Sequence, residues 1–136
     1  MTRRVTIYTD GSAMPNPGPA GIGVVILDES NAVVFEASHA IGWATNNQAE
    51  YRAVIKGLEQ AARLGAEHVE LRSDSELLVR QVKGEYRVKN PGLKPLCDQT
   101  LRLLQGFRSS SVVHIPRESN RAADALSRQA LLRDQP

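Results

Sequence analysis

Residues 4–28 read RVTIYTDGSAMPNPGPAGIGVVILD, and this stretch sets the beginning of the fold. Apolar and polar residues alternate at its start with the period of two that is typical of a β-strand, which we expect to end at Asp10. A loop rich in Gly, Pro and Asn follows, up to Pro19. The runs GIGVVILD (21–28) and AVVFEASHAI (32–41) are spaced as a hairpin. The pattern therefore predicts an antiparallel meander of three strands.

Beyond the meander, the periodicity of the chain becomes helical. Apolar residues recur at helical spacing from Thr45 onward, and Gly65 stands where this helix should end. We then expect a strand at 68–74, a helix from Ser75 to Gly84, a helix at 93–104, a strand at 110–116 and a helix at 119–132. Because a strand, a helix and a further strand in succession call for a right-handed crossover, the later strands should pair in parallel. The fold class is a mixed α/β domain with helices on the sheet faces.

Length and composition narrow the functional classes. The 136 residues suffice for one domain, expected to span 1–136, and 41% of them are hydrophobic. No run approaches the roughly 20 apolar residues of a membrane span, and the N-terminus turns polar too early for a secretory signal. A soluble, cytoplasmic protein without a membrane partner is expected. The single cysteine, Cys97, excludes an internal disulfide and a cysteine-based zinc site, so any metal ligands must be oxygen or imidazole.

The positive charge of the chain is concentrated in one segment. The formal net charge is +2, yet residues 80–94 contain five basic side chains and one acid. Arginine supplies most of the cations of the chain, which favours phosphate recognition or reflects a high-GC genome.

Four carboxylates occupy positions for which an ordinary structural explanation is available. Asp10 follows a strand in an Asp-Gly turn, and Glu50 lies in the first turn of its helix, where an acid meets the helix dipole. Asp74 stands at a strand-to-helix junction, where aspartate is a common N-cap, although Ser75 can cap the helix instead. Asp124 precedes Arg128 by four residues, the spacing of a surface ion pair.

A shared site explains the four acids together. Asp10 and Asp74 both end strands that should be central and parallel, and open α/β sheets bind ligands beyond the carboxyl ends of such strands. Glu50 shares one helix face with apolar residues and so points towards the sheet. Carboxylates that converge at about 4–6 Å repel one another unless a cation neutralises them, and oxygen ligands select Mg²⁺ or Mn²⁺. Two such ions about 4 Å apart promote phosphodiester hydrolysis, so the chemistry points to a nuclease.

Four blocks of the chain resemble the signature blocks of type 1 ribonuclease H in order and spacing: YTDGSAMPNPGPAGIG (8–23), ATNNQAEYRAVIKGL (44–58), ELRSDSELLVRQVKGEY (70–86) and HIPRESNRAADALS (114–127). The resemblance implies an α/β fold with a five-stranded mixed sheet in the order 3-2-1-4-5 and helices on both faces. It also implies an endonuclease that uses two Mg²⁺ ions to cleave the RNA strand of RNA–DNA hybrids, leaving 5′-phosphate and 3′-hydroxyl ends. The implied catalytic and metal-binding acids are Asp10, Glu50, Asp74 and Asp124.

The same resemblance implies the substrate contacts. The positions that match RNA contacts are Gly11, Ser12, Asn16, Asn46 and Asn47, and Thr45 matches a position near a DNA phosphate. Amide and backbone groups can reach the 2′-hydroxyls in the wide minor groove. Alternatives are a turn role for Asn16 and a helix cap for Asn46. Trp43 stands where some members carry a basic residue, and a half-buried packing role is its alternative.

Two features found in other members are missing from this sequence. Many members carry a histidine in a flexible loop before the last helix, but here that loop is only 116–119, and His114 falls inside the strand as a packing or surface residue. Residues 84–91 replace the long basic handle of some members, as in the compact form common in archaea and some bacteria. The segment retains possible DNA contacts at Tyr86, Lys89 and Asn90. Double-stranded RNA is a possible second substrate, and the family suggests a monomer.

Other functions were weighed against the hybrid-specific nuclease. A catalytically silent nucleic-acid-binding module of the same fold is disfavoured because all four acids are present. Exonucleases and junction resolvases of the same superfold lack the TDGS and TNN blocks.

Overall fold

The computed structural model describes residues 3–133. This part of the chain runs through β1 (Arg4–Ala13), β2 (Gly18–Leu27), β3 (Val33–Ala44), α1 (Asn46–Arg63), β4 (His68–Ser73), α2 (Glu76–Val82), α3 (Lys94–Gln105), β5 (Ser109–His114) and α4 (Arg121–Arg133). A 3₁₀ turn, Arg117–Ser119, precedes α4. Within these residues, no helix has both the length and the hydropathy that a membrane crossing requires.

The strands form one mixed sheet in the order β3-β2-β1-β4-β5. β2 pairs antiparallel with β1 and β3, whereas β4 pairs parallel with β1 and β5. This confirms the mixed α/β fold and the strand order that the resemblance implied. β2 and β3 lie on one side of β1, and the later strands β4 and β5 lie on the other, so the strand order reverses at β1. Open α/β sheets bind their ligands at such a reversal.

β1 is longer than the sequence pattern predicted. The strand was expected to end at Asp10, but it continues to Ala13, which pairs with Ala20. β2 begins at Gly18, so only residues 14–17 connect the two strands. The prediction of a loop that reaches from the end of Asp10 to Pro19 was therefore wrong. Ladder pairing with β2 overrides the local turn signals of Gly, Ser and Pro, because strand formation depends more on neighbouring strands than on intrinsic propensity.

β3 also extends further than expected, to Ala44. Trp43 therefore lies within the strand, opposite Pro19 of β2. Its side chain is 73% exposed. The half-buried packing role considered for Trp43 was wrong.

Helices cover both faces of the sheet. Neighbouring residues of a strand point to opposite faces of the sheet. Gly23 pairs with Asp10, the residue before Gly11, so Gly11 and Gly23 face opposite sides of the sheet. A Cβ atom on Gly11 would lie 2.2 Å from the carbonyl carbon of Ala49 in α1. One on Gly23 would lie 2.1 Å from the carbonyl oxygen of Ala123 in α4. α1 and α4 thus approach the strands on opposite faces, at distances that only glycine permits.

The main hydrophobic core lies between the sheet and the helices α1, α2 and α3. Its fully buried members include Ile7, Val24, Leu58, Leu71 and Leu78. Within it, the Tyr51 hydroxyl donates a hydrogen bond to Gln81 Oε1 at 2.7 Å, which satisfies two buried polar groups and joins α1 to α2. This packing holds α1 in a defined position on the sheet.

Candidate active site

Three acidic side chains meet at one end of the sheet. The parallel pairing of β1 with β4 ends at Thr9 and Ser73, so Asp10 and Asp74 follow on neighbouring strands. One carboxylate oxygen from each of Asp10, Asp74 and Glu50 lies within 4.8 Å of the other two. Residues that are distant in the sequence thus form one acidic cluster.

Glu50 reaches the cluster from α1. The helix begins at Asn46, so Glu50 lies beyond the first turn, and the helix-dipole explanation for it was wrong. Its Oε1 accepts a hydrogen bond from the backbone N–H of Gly11 at 2.7 Å. Val54 and Leu58 follow on the same helix and are fully buried against the sheet. Glu50 therefore points towards β1, as its helical position predicted.

Burial and mutual repulsion perturb the acids of the cluster. Burial raises the pKa of Asp10 to about 7, and repulsion by Asp74 and Asp124 adds to the rise, whereas the Ser127 hydroxyl opposes it. Burial also raises the pKa of Glu50 well above its ordinary value, with repulsion by Asp10 and Asp74 as further causes. A bound cation would relieve this repulsion and favour the charged carboxylates.

The donor atoms of the cluster suit a hard divalent cation. Asp10, Glu50 and Asp74 supply carboxylate oxygens, and no Cys or His joins this group within the described chain. Oxygen-only sites favour Mg²⁺ or Mn²⁺ over zinc. Together with the raised pKa values of Asp10 and Glu50, this donor set fits the cation that the sequence predicted.

Asp124 lies beside the cluster. It is not among the three acids within 4.8 Å, but it lines the same cleft and is close enough to raise the pKa of Asp10. Its Oδ1 accepts a hydrogen bond from Arg128 Nε at 3.2 Å, the ion pair that the i,i+4 spacing predicted. The structure therefore brings all four acids to one cleft, with Asp124 at the edge of the other three.

Two buried residues that the sequence reasoning missed contact the cluster. Asn120 Nδ2 donates to Asp74 Oδ2 at 3.2 Å and to a backbone carbonyl of β1 at 2.8 Å. Ser127 Oγ donates to Asp10 Oδ2 at 2.9 Å. The two residues stand four positions before and three positions after Asp124. Helical spacing around Asp124 is the signal that could have identified them.

The cluster opens into a cleft of about 510 Å³. Four of the residues expected to contact substrate line it: Gly11, Ser12, Asn46 and Asn47. The lining also includes Met14, Arg117 and Arg128. The two guanidinium groups provide positive charge beside the acids, and guanidinium geometry matches that of carboxylate and phosphate oxygens.

Asn16 and Thr45 are not among the residues that line this cleft. Asn16 Oδ1 accepts from the Asn46 N–H at 3.0 Å, and Asn46 Oδ1 accepts from the Ala13 N–H at 2.7 Å. Thr45 is the N-cap of α1, with its hydroxyl accepting from the Gln48 N–H at 3.1 Å. The cap role considered for Asn46 was therefore wrong. Asn46 instead joins the end of β1 to the start of α1.

The structure also describes the two regions in which this sequence departs from other family members, the loop before the last helix and the segment that replaces the basic handle. His114 is exposed at the end of β5, which confirms its assignment to the strand surface. Residues 83–93 connect α2 to α3 without a further helix, so the handle is absent. Lys89 and Lys94 line a separate cleft of about 600 Å³ at this connection.

The sequence and the fold are similar to those of known proteins. A family model described as reverse transcriptase-like matches residues 8–130. Ribonuclease HI of Halobacterium salinarum is 44% identical over 128 residues, which are 94% of this chain. The chain spans 64% of the length of that curated relative, slightly less than two thirds.

Two solved structures are similar over nearly the whole chain. The crystal structure of RNase H1 from Halobacterium salinarum NRC-1 has a TM-score of 0.93 and 43% identity, covering 97% of this chain and 99% of that one. LC11-RNase H1 in complex with an RNA/DNA hybrid has a TM-score of 0.90 and 46% identity, covering 95% and 97%. Because sequence and fold agree over this length, the chain belongs to the type 1 ribonuclease H family.

Proposed function

We propose that this chain is a metal-dependent endonuclease that hydrolyses the RNA strand of RNA–DNA hybrids. The observation that carries the proposal is the cluster of Asp10, Glu50 and Asp74 in an open cleft of a ribonuclease H fold. The structure of LC11-RNase H1 with a hybrid, from a protein 46% identical to this chain, supports the substrate class.

Asp10, Glu50 and Asp74 would hold two divalent cations, with Asp124 beside them. Mg²⁺ is the proposed ion, and Mn²⁺ is a possible substitute because it accepts the same oxygen donors. When bound, the cations activate the attacking water and stabilise the leaving oxygen. The Gly11 N–H holds Glu50 towards the cluster by its 2.7 Å hydrogen bond, so the ligand set is oriented before substrate arrives.

The proposed reaction breaks one phosphorus–oxygen bond. The water oxygen forms a new bond to phosphorus, the bond to the 3′-oxygen breaks, and that oxygen takes up a proton. The products are a 5′-phosphate and a 3′-hydroxyl. Arg117 and Arg128 line the cleft and can contact the phosphate oxygens during this exchange.

The substrate contacts follow from the cleft lining. We assign the RNA strand to Gly11, Ser12, Asn46 and Asn47, with Asn16 behind Asn46 and Thr45 towards a DNA phosphate. All four of these residues line the cleft that holds the acids, which supports this assignment. A 2′-hydroxyl can both donate and accept, which is the chemistry that distinguishes RNA from DNA.

The proposal also covers the oligomeric state of the protein, its location and a second substrate. We infer that the protein acts as a monomer in the cytoplasm. Double-stranded RNA is another duplex that displays 2′-hydroxyls in a wide minor groove, so it is the second substrate to test.

The test is cleavage of an end-labelled RNA–DNA hybrid in Mg²⁺, beside single-stranded RNA, double-stranded RNA and double-stranded DNA. We expect internal cuts in the hybrid's RNA, loss of cutting with a chelator, and recovery with Mg²⁺ or Mn²⁺. Asp10→Asn is the control and should show no turnover. Hybrid binding without cleavage in either metal would contradict the proposal and favour a catalytically silent binding module.

A further inference from the structure

Ser127 is a buried hydroxyl residue of α4 that faces the acidic cluster. It is 0% exposed, and its Oγ lies 2.9 Å from Asp10 Oδ2 and 2.9 Å from the Asp124 carbonyl oxygen. A serine hydroxyl carries one proton, so it donates to only one of these acceptors at a time. Because a carboxylate is a stronger acceptor than a neutral carbonyl, the hydroxyl donates to Asp10 when Asp10 is charged.

Close packing of α4 on β2 makes this contact possible. A Cβ atom on Gly23 would lie 2.7 Å from Ser127 N, and one on Gly21 would lie 2.6 Å from the Ser127 carbonyl oxygen. Gly23 is the register partner of Asp10. The two glycines therefore let the helix backbone lie directly on the strand beside Asp10, at a distance that the one-carbon side chain of serine spans. The position of the hydroxyl is set by the fold.

The same helical segment holds Asp74 in a similar way. Asn120 precedes α4, is 1% exposed, and donates to Asp74 Oδ2 at 3.2 Å. Asn120 lies directly before the first residue of α4, and Ser127 lies within the helix. Asp10 and Asp74 therefore each receive one neutral donor from this segment.

We propose that Ser127 is a positioning residue that holds one oxygen of Asp10 and presents this carboxylate to a divalent cation in a fixed orientation. The inference rests on the proposed function, because it concerns the cation that the acidic cluster would hold. Groups that orient a metal ligand in this way typically change metal affinity or activity about 10- to 100-fold when they are removed. The loss of the Ser127 hydroxyl should weaken the binding of cation without weakening the binding of hybrid.

The experiment compares Mg²⁺ binding to the wild-type protein and to Ser127→Ala by titration calorimetry without nucleic acid. We expect the dissociation constant for Mg²⁺ to rise about 10-fold or more in the variant. A second measurement is the rate of hybrid cleavage as a function of Mg²⁺ concentration. The variant should lose kcat at limiting Mg²⁺ and regain it at saturating Mg²⁺, with KM for the hybrid unchanged.

Thr100→Val is the matched control. Thr100 is also 0% exposed, and its hydroxyl donates to the Leu96 carbonyl at 2.9 Å within α3. Both substitutions remove a buried helical hydroxyl, but only Ser127 contacts an acid of the cluster. Mg²⁺ affinity should therefore stay at the wild-type value in Thr100→Val. If Ser127→Ala fails to fold, Ser127→Cys replaces the hydroxyl with a larger thiol that is a weaker donor, and it should still show a loss of Mg²⁺ affinity.

Unchanged Mg²⁺ affinity in a folded Ser127 variant would overturn the inference. An equal loss in Thr100→Val would also overturn it, because the effect would then follow from general destabilisation. A wild-type protein that neither binds Mg²⁺ nor cleaves the hybrid would overturn the proposed function as well. Wild-type binding and cleavage, with no effect of Ser127→Ala, would refute the positioning role alone.

Discussion

Asp10 is only 7% exposed and yet borders two other carboxylates of the site. Burial and the repulsion by Asp74 raise the pKa of Asp10 from 3.8 to about 7. Between these two pH values the unfolded chain has already released the proton that the folded protein still holds. Without metal, this acid therefore lowers the stability of the fold as pH rises from about 4 to about 7.

Removing the negative charge of Asp10 should stabilise the metal-free protein. Asp10→Asn removes the repulsion with Glu50 and Asp74 while its amide oxygen can still accept from Ser127. At pH 8 in chelator we expect a gain of about 1–3 kcal/mol, which corresponds to a rise in Tm of roughly 3–10 °C. Turnover of the hybrid should be lost in the same variant. A lower Tm than that of the wild type would contradict the repulsion inferred from the acidic cluster.

The stabilising effect of Asp10→Asn should depend on pH. Below about pH 4 Asp10 is protonated in both the folded and the unfolded wild-type protein, whereas between about pH 4 and pH 7 only the folded protein keeps the proton. The difference in Tm between variant and wild type should therefore be smallest near pH 4, grow as pH rises to about 7 and stay constant above it. Thermal melts of both proteins in chelator across this range measure it. A constant difference would show that Asp10 does not titrate in this window.

At the scale of secondary-structure elements, the site depends on how closely α1 lies on β1. The Gly11 N–H donates to Glu50 Oε1 at 2.7 Å, and the two residues are 39 positions apart in the chain. A side chain at position 11 would have to displace the Ala49 backbone, 2.2 Å from the place of its Cβ. The length of β1 matters too, since its extension to Ala13 provides the N–H that binds Asn46 Oδ1.

Gly11→Ala should therefore damage both stability and the site. Overpacking of this kind typically costs about 1–3 kcal/mol, equivalent to a fall in Tm of roughly 3–10 °C, and α1 must shift to relieve the clash. Gly106→Ala is the control, because a Cβ there would lie 3.3 Å from its nearest neighbour, the Leu103 carbonyl oxygen. Thermal melts and hybrid cleavage of both variants test this. Equal Tm values for the two variants would argue against the tight α1–β1 contact.

At the scale of the whole molecule, positive charge and the missing handle govern binding. The basic segment 80–94 surrounds the connection between α2 and α3, where Lys89 and Lys94 line a cleft. Each phosphate contact made by a lysine or arginine releases counterions when nucleic acid binds, so the number of contacts sets the salt dependence of affinity. A compact chain without a handle offers a smaller basic surface for such contacts.

Hybrid affinity should show a moderate dependence on salt. We expect fewer than about eight phosphate contacts, which gives a slope of log K against log salt concentration shallower than about −7. Binding of a hybrid to Asp10→Asn across a range of salt concentrations measures the slope. Lys89→Ala should make the slope shallower by about 1 if this residue contacts the DNA strand. A slope steeper than about −7 for the unmodified basic surface would contradict the expectation.

The order of the elements, the mixed α/β class and the convergence of acidic side chains could be predicted from the amino-acid sequence alone. Periodicities of two and 3.6 residues are local signals, and they marked every strand and helix to within a few residues. The positions of the acids at strand ends and on a helix face predicted that Asp10, Glu50, Asp74 and Asp124 converge, and the signature blocks predicted the strand order. Glu50 could be predicted to point towards the sheet because it shares a helix face with Val54 and Leu58, which are buried.

Features that depend on contacts between distant segments could not be predicted and became visible in the three-dimensional structure. The continuation of β1 past Asp10 requires pairing with β2, and the exposure of Trp43 follows from the length of β3. The contact of Ser127 with Asp10 joins residues 117 positions apart and depends on how closely α4 packs on Gly23. Local propensity carries no information about such distances, because they are set by the packing of the whole fold.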